Sequence, residues 1–223
     1  MRIRKDKGMN AVITGTSRGI GRAIAERFLS AGYSVTGIDL LEDTILSPSY
    51  RHIRKDIREA AAGDLPEPDI LIHAAGTLEE KNAIDINLKA TIDLNCRLKD
   101  CGSLKSVLFI ASASARNGAE FPLYAASKAG LVGYMKNLAL ELAGRGITVN
   151  SISPGGVITE SNRHILENSD LYAAVKAETL LGKWAEPEEI ADLAYFLTVT
   201  NRSITGEDIL IDNGEMLKSN FIW

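Results

Sequence analysis

The stretch Asn10-Ala-Val-Ile-Thr14-Gly15-Thr-Ser17-Arg18-Gly19-Ile20-Gly21 decides how the rest of the chain is read. A short apolar run ends in a glycine-rich turn, and the apolar residues then fall at helical spacing. Ala23, Ile24, Phe28 and Leu29 mark that helix, and Ala31-Gly32 stops it. Between a strand and a helix, a G-x-x-x-G-x-G turn carries meaning. Glycines let the backbone approach a pyrophosphate, and the helix start offers free amides and positive potential. In this setting a dinucleotide outweighs a mere tight connection. Gly15, Ser17, Arg18, Gly19, Ile20 and Gly21 are therefore candidate cofactor contacts.

The next strand, Tyr33–Ile38, ends at Asp39, which lies 18 positions after Gly21. A carboxylate at that strand tip accepts hydrogen bonds from both adenosine ribose hydroxyls and repels a 2′-phosphate. NAD is thus favoured over NADP. Arg18 points the other way, since a basic side chain in the turn could hold a phosphate, but repulsion at the ribose is the more direct effect.

Beyond Asp39 the connections are brief. Between Leu40 and Tyr50 there is room for barely one helical turn, and a strand near His52-Ile53 leads to Asp56-Ile57, two more candidate cofactor contacts. A fourth strand, Asp69–His73, ends in Ala74-Ala75-Gly76, whose small side chains leave space for a ligand above the sheet. A helix spans about 82–99 and contains Asn87. Val107–Ala111 is a continuous apolar run, as expected for a strand covered on both faces. A long helix runs over 122–142, and Ile147–Ser153 is a sixth strand, ended by Pro154-Gly155-Gly156. The interrupted, polar segment 160–182 suits a mobile flap over a site. Pro187 opens a helix with Ile190, Leu193, Ala194 and Leu197 on its apolar face, and Ile209–Ile211 is the last strand. Strands alternating with helices predict an α/β fold: a single doubly wound Rossmann-like domain over 10–223, with a mainly parallel seven-stranded sheet.

Within this frame lies Ser112-Ala-Ser114-Ala-Arg116-Asn-Gly-Ala-Glu-Phe-Pro122-Leu-Tyr124-Ala-Ala-Ser-Lys128. Pro122 sits where a helix begins without wasting a donor, and Tyr124 and Lys128 share one helix face. An isolated phenol titrates near pH ~10. An ammonium one turn away favours the phenolate and lowers that value. The pair would then exchange a proton near neutrality, with Ser112 hydrogen-bonded to the same substrate oxygen. Taken alone, Tyr-x-x-x-Lys is equally a solvated surface pair.

The composition narrows the classes. The 223 residues carry a formal net charge of −4, which argues against nucleic acid as the main partner. The basic leader with Arg2, Arg4, Lys5 and Lys7, within an extension 1–9, lacks the apolar run of a signal peptide. No segment approaches the ~20 apolar residues that span a bilayer, so no membrane partner is expected. Cys96 and Cys101 are too few for a disulfide framework and have no nearby partners for a metal site. They read as buried or half-buried thiols in a reducing cytoplasm.

Together these motifs resemble the short-chain dehydrogenase/reductase family, from Ala11 to about Gly214, with a shortened N-terminal half. Thr14–Gly21 looks like its cofactor turn and Tyr124-Ala-Ala-Ser-Lys128-Ala-Gly its catalytic motif. Asn150-Ser-Ile-Ser-Pro154-Gly155-Gly156-Val157-Ile-Thr159 is similar to the segment placed against the nicotinamide. Leu181–Ile190 and Ile204–Gly214 match its C-terminal signature. The resemblance implies that Tyr124 is the general acid/base and that Lys128 lowers its pKa and holds the nicotinamide ribose. It also implies that Ser112 orients the carbonyl and Asn87 maintains a proton-relay water. Ala74, Ala75, Gly76, Pro154, Gly155, Val157 and Thr159 join the expected cofactor contacts, with a homodimer or homotetramer paired through the helices at about 82–99 and 122–142.

Three departures stand out. His73-Ala-Ala-Gly76 replaces the usual Asn-Asn-Ala-Gly. Ser112 precedes Tyr124 by 12 positions, one fewer than expected, which leaves Ser114 as an alternative. The connections after the second, third and fourth strands are short. The expected function is hydride transfer between NAD(H) and a secondary alcohol or ketone, on a 3-oxoacyl thioester or a cyclic alcohol. The competing class is an NAD(H)-sensing protein without catalysis. Arg116, Arg163 and His164 either bind a substrate carboxylate or are solvated loop charges.

Overall fold

Strand β1 (Asn10–Thr14) serves two apolar layers at once: Ala11 and Ile13 join one buried cluster and Val12 the other. Successive side chains of a strand point to opposite faces. The computed structural model describes residues 8–119 and 121–218, with the backbone alone at Ala62. The leader residues Arg2, Arg4, Lys5 and Lys7 lie outside the described residues. After β1 come α1 (Gly19–Ser30), β2 (Ser34–Asp39), β3 (Tyr50–Arg54) and β4 (Ile70–His73). Next, α2 (Glu80–Ala83), a π-helical stretch (Ile84–Ala90) and α3 (Thr91–Leu98) follow without a break. Then come β5 (Ser106–Ile110), α4 (Ser114–Asn117), α5 (Pro122–Leu142) and β6 (Thr148–Pro154). The chain closes with α6 (Arg163–Leu166), α7 (Ser169–Ala177), α8 (Pro187–Tyr195) and β7 (Asp208–Ile211).

The double use of strands recurs in the sheet centre. Ile70 and Ile72 face one layer and Leu71 the other; Leu108 and Ile110 oppose Val107 and Phe109. A sheet apolar on both faces has to be covered on both. Helices α1 and α8 cover one side through Ile24, Phe28, Ile190 and Ala194. Helices α3 and α5 cover the other through Leu94, Leu98, Leu131, Met135 and Leu138. All seven strands lie in one sheet of order β3-β2-β1-β4-β5-β6-β7, and every neighbouring pair is parallel. The sheet is thus wholly rather than mainly parallel. The chain winds outward in one direction from β1 and in the other from β4, so a crevice opens between the carboxyl ends of these two strands.

Three elements add detail to the sequence reading. The helix expected from Asn82 starts at Glu80 and widens into a π-helical stretch around Asn87, a distortion frequent at functional sites. The β2–β3 connection forms no helix among the described residues 40–49, and that between β3 and β4 has a single 3-10 turn, Ala62–Asp64. The supposed flap is organised as the short helices α6 and α7, with Asn168 capping α7 by accepting from the Leu171 amide. Cys101 is half-buried as expected, but Cys96 is exposed, with Sγ 3.7 Å from the Tyr134 hydroxyl.

His73, at the tip of β4, stacks on Phe109 with ring centroids 5.0 Å apart. Its Nε2 lies 3.4 Å from Asn95 Oδ1, and Asn95 donates in turn to the Tyr134 hydroxyl at 2.8 Å. Burial pushes the imidazole down to about 4. Between that value and the ordinary 6.5 the unfolded chain binds a proton that the folded chain refuses, so stability falls on acidification. Comparing wild type with His73→Asn by urea unfolding, the wild-type advantage is expected to shrink by about 3 kcal/mol from pH 6.5 to pH 4. Parallel pH profiles would show that His73 is not held neutral.

Candidate active site

The crevice between β1 and β4 is built from backbone held at close quarters. Thr14 is buried and its Oγ1 accepts the amides of Ala74 and Ala75, both at 3.0 Å. A Cβ on Gly15 would stand 2.8 Å from the Ala75 nitrogen, and one on Gly21 would stand 2.0 Å from the Gly15 carbonyl oxygen. Only glycine fits either place. At Gly19 the need is conformational, because its φ is 55°.

Helix α1 has no side-chain cap among the described residues and no acidic residue in its first turn, so its amides and dipole are open to an anion. Ser17, 4% exposed, keeps a buried hydroxyl with no partner among the described residues. An orphaned hydroxyl beside an uncapped helix start fits a pyrophosphate. Asp39, at the tip of β2, accepts the Ser17 amide on Oδ2 and the Leu41 amide on Oδ1, each at 2.9 Å. Each oxygen retains a lone pair for a ribose hydroxyl. Arg18 is exposed.

The other expected cofactor residues differ in character. Asp56 is clamped by Arg58, whose Nη2 donates at 2.6 Å, and this guanidinium holds the carboxyl below its ordinary range. The Ile57 side chain is buried in the α3–α5 layer. Gly76 faces the polar cluster described below. Pro154 ends β6, and the Gly155 amide donates to the Ile211 carbonyl at 3.0 Å. Val157 pairs with Ala185 in an isolated bridge. Thr159 lies beside the glycine turn, its Cγ2 3.4 Å from where a Gly19 Cβ would stand. A cavity of about 510 Å³ runs from Gly19 and Arg22 to Thr159, Glu160 and Pro187.

Three residues singled out by sequence, Lys128, Tyr124 and Asn87, gather near the ends of β4 and β5, and a fourth, Ser112, follows β5. Lys128, 5% exposed, donates from Nζ to the Ile110 carbonyl at 2.8 Å. Burial pushes its ammonium down to about 8, and Nζ lies 5.7 Å from the Tyr124 ring centroid. Ser112 follows two residues after Ile110, and its hydroxyl donates to Ser114 Oγ at 3.2 Å. The two serines weighed as alternatives thus form one pair. Asn87 is fully buried. Its Oδ1 accepts the Thr77 amide at 2.7 Å, while Nδ2 donates to the Thr77 carbonyl at 2.9 Å and to Ser127 Oγ at 3.1 Å. A Cβ on Gly76 would sit 3.1 Å from Asn87 Oδ1 and 3.4 Å from Lys128 Nζ. The absent side chain thus lets both groups face one space.

Some expectations are redirected. Arg116 is exposed but ion-paired. Its Nε donates to Asp208 Oδ2 at 2.9 Å, and Asp208 Oδ1 accepts the hydroxyls of Ser151 and Ser153. Arg163 is 70% exposed and pairs with Glu167 at 3.6 Å, and His164 is exposed. The sequence reading gives no role of their own to Thr14, named only as the start of the cofactor turn, or to Ser127. Ser127 stood inside the quoted Tyr-Ala-Ala-Ser-Lys motif and was treated as spacing only.

A family model described as enoyl-(acyl carrier protein) reductase matches residues 49–215. The chain is 30% identical to the 3-oxoacyl-(acyl-carrier-protein) reductase FabG of Salmonella typhimurium, over 93% of this chain and 97% of the relative. It is also 30% identical to L-rhamnose 1-dehydrogenase (NADP(+)) of Thermoplasma acidophilum, over 95% and 97% of the two chains. Among solved structures, 4-hydroxyisoleucine dehydrogenase complexed with NADH superposes with a TM-score of 0.85 at 30% identity, covering 95% of this chain and all of that one. The chain belongs to the short-chain dehydrogenase/reductase family.

The burial of Lys128 has a measurable consequence. Below pH 8 both folded and unfolded chains keep the ammonium protonated, and the folded one bears the full desolvation cost. Between about 8 and 10.5 the folded chain sheds the proton first, so stability rises with pH in that window. Lys128→Met is expected to raise the melting temperature of the cofactor-free protein at pH 7, with the gap to wild type closing from pH 8 to pH 10.5. A variant less stable than wild type at pH 7 would refute the cost.

Proposed function

We propose that this family member transfers a hydride between NAD(H) and the carbon of a secondary alcohol or ketone, with Tyr124, Lys128, Ser112 and Asn87 as its working groups. The observation that carries this reading is the meeting of Lys128 Nζ and Asn87 Oδ1 beside Gly76, one helical turn from Tyr124 and at the end of the strand that delivers Ser112. The nicotinamide, when bound, supplies or accepts the hydride.

The protein's part is to hold the cofactor and move a proton. Tyr124 gives its phenolic proton to the substrate oxygen in reduction and takes it back in oxidation. The Lys128 ammonium stabilises the phenolate charge, and its position under the site serves the nicotinamide ribose. The Ser112 hydroxyl orients the carbonyl. Asn87 has both amide donors engaged, so the relay assigned to it runs through the remaining lone pair of Oδ1 or its main chain. Gly15, Ser17, Gly19, Ile20 and Gly21 take the pyrophosphate, and Asp39 the adenosine ribose. Arg18, Asp56, Ile57, Ala74, Ala75, Gly76, Pro154, Gly155, Val157 and Thr159 complete the cofactor surface.

Asp39 supports NAD over NADP, because a 2′-phosphate would meet a carboxylate already fixed by two amides. The commitment of Arg116 to Asp208 supports a substrate held without that cation. A 3-oxoacyl thioester or a cyclic secondary alcohol meets this description. Among the described residues no helix is long and apolar enough to cross a membrane. Cytoplasmic residence and assembly as a homodimer or homotetramer belong to the same proposal.

Two substitutions test it, on a panel of ketones and secondary alcohols run with NAD(H) and NADP(H). Tyr124→Phe is expected to lower kcat at least about a hundredfold while NADH fluorescence titration gives an unchanged affinity. Wild-type turnover in that variant would remove Tyr124 from the chemistry, whereas NADH binding with no turnover of any panel member by the wild type would favour a sensing role. Asp39→Ser is expected to weaken NADH binding and improve NADPH binding. An unchanged ratio would place the ribose elsewhere.

A further inference from the structure

Tyr124 is the third residue of α5, and a helix start leaves its first amides without partners inside the helix. The residue preceding α5, Phe121, offers no side-chain cap. The missing acceptor comes from another element. Glu80, the first residue of α2 and half-buried, accepts the Leu123 amide on Oε2 at 3.1 Å and the Tyr124 amide on Oε1 at 3.0 Å. A carboxylate here meets the positive end of a 21-residue helix, and such charge-assisted hydrogen bonds are stronger than neutral ones. The same region holds the carbonyl of the same residue. Ser127 Oγ donates to the Tyr124 carbonyl at 2.7 Å and accepts from Asn87 Nδ2, and Asn87 is itself bonded to Thr77. Only three residues separate Gly76 from Glu80, so the short connection after β4 is what delivers this carboxylate to α5.

We propose that Glu80 is a positioning residue for Tyr124: its carboxylate fixes the first turn of α5 so that the phenol meets the substrate oxygen. The inference rests on the reading of Tyr124 as the proton donor. Lys128 is anchored at Ile110 one turn further on. Glu80 therefore sets the free end of a segment whose far end is already pinned, and its loss lets Tyr124 move relative to Lys128. A displacement near 1 Å at a reacting group costs up to about a hundredfold in rate.

The test uses the full-length protein in four forms: wild type, Glu80→Ala, Glu80→Gln and Tyr124→Phe. Amide hydrogen exchange by NMR reads the anchor directly. Kinetics with NADH and acetoacetyl-CoA, or the fastest ketone of the panel if that thioester is inert, read its effect. In Glu80→Ala the Leu123 and Tyr124 amides are expected to exchange at least about tenfold faster, with those of Leu131 and Met135 unchanged. The same variant is expected to lose about tenfold to a hundredfold in kcat at unchanged KM and NADH affinity. Glu80→Gln keeps one acceptor oxygen and should recover part of both, and it carries the test if the alanine variant does not fold. Unchanged exchange overturns the proposal, as does faster exchange with wild-type kcat. So does a loss spread equally over kcat, KM and NADH affinity, which marks general unfolding. Turnover by Tyr124→Phe would instead defeat the assignment of the proton donor, leaving the exchange result to decide the anchor.

Discussion

An ammonium taken out of water is the constraint around which this site is arranged. Lys128 reaches the interior from the second turn of α5, where the main-chain oxygen of Ile110 accepts its one hydrogen bond among the described residues. A single neutral acceptor replaces little of the hydration such a charge loses, and the depressed pKa expresses that deficit. The cost is tolerable because the surroundings are rigid and shaped for it. The Ile110 carbonyl stands at the end of a strand fixed between β4 and β6, and a Cβ at Gly76 would stand 3.1 Å from Asn87 Oδ1, so the glycine keeps the space beside Nζ open. A poorly solvated cation stabilises a nearby phenolate more than a hydrated one, since less water screens it. The same burial that weakens the fold thus strengthens the chemistry proposed for Tyr124.

Such a charge needs its partners held still, and the hydrogen bonds about the start of α5 do this without a conventional cap. Glu80, Asn87 and Ser127 all end on the main chain of Leu123, Tyr124 or Thr77. The π-helical stretch holds Asn87, where a mediocre helix former becomes a buried amide with both donors and one oxygen lone pair engaged. The helix distortion and the buried asparagine are one feature.

Much of this was legible in the sequence for reasons that can be named. The central strands are apolar on both faces, so they stand out as continuous runs, and the glycine turn announces itself because only glycine fits against the Ala75 and Gly15 main chain. Tyr124 and Lys128 share a helix face by simple period. What stayed hidden depends on tertiary pairing. Glu80 is one of many surface-like glutamates until α2 is seen beside α5, with Tyr124 44 residues away. Arg116 looked like a free cation because Asp208 lies 92 residues further on. The order of the 160–182 segment was obscured by polar composition, although it holds two short helices, the second capped by Asn168.

The shortened half raises the question of what steadies the adenosine end when the β2–β3 crossover brings no helix. The structure answers with a polar chain through the sheet edge. His52 Nε2 lies 2.9 Å from the Leu41 carbonyl, an acceptor only, so in the neutral ring the proton sits on Nε2. Nδ1 is then an acceptor, and the Tyr50 hydroxyl 3.1 Å away donates to it. With that proton spent, Thr16 must be the donor in its 2.7 Å contact with Tyr50. The phenol can cross β2 only because Gly37 has no Cβ, which would stand 2.2 Å from the Tyr50 oxygen. One directed chain therefore links the glycine turn through Thr16 to the Asp39 loop through Leu41, with β3 as its backing. The edge strand is short and its outer residues include Arg51 and Arg54, charges that discourage pairing with another strand. A missing helix is thus replaced by three side chains and a glycine, and the turn proposed to meet the pyrophosphate is tied to β3 by hydrogen bonds.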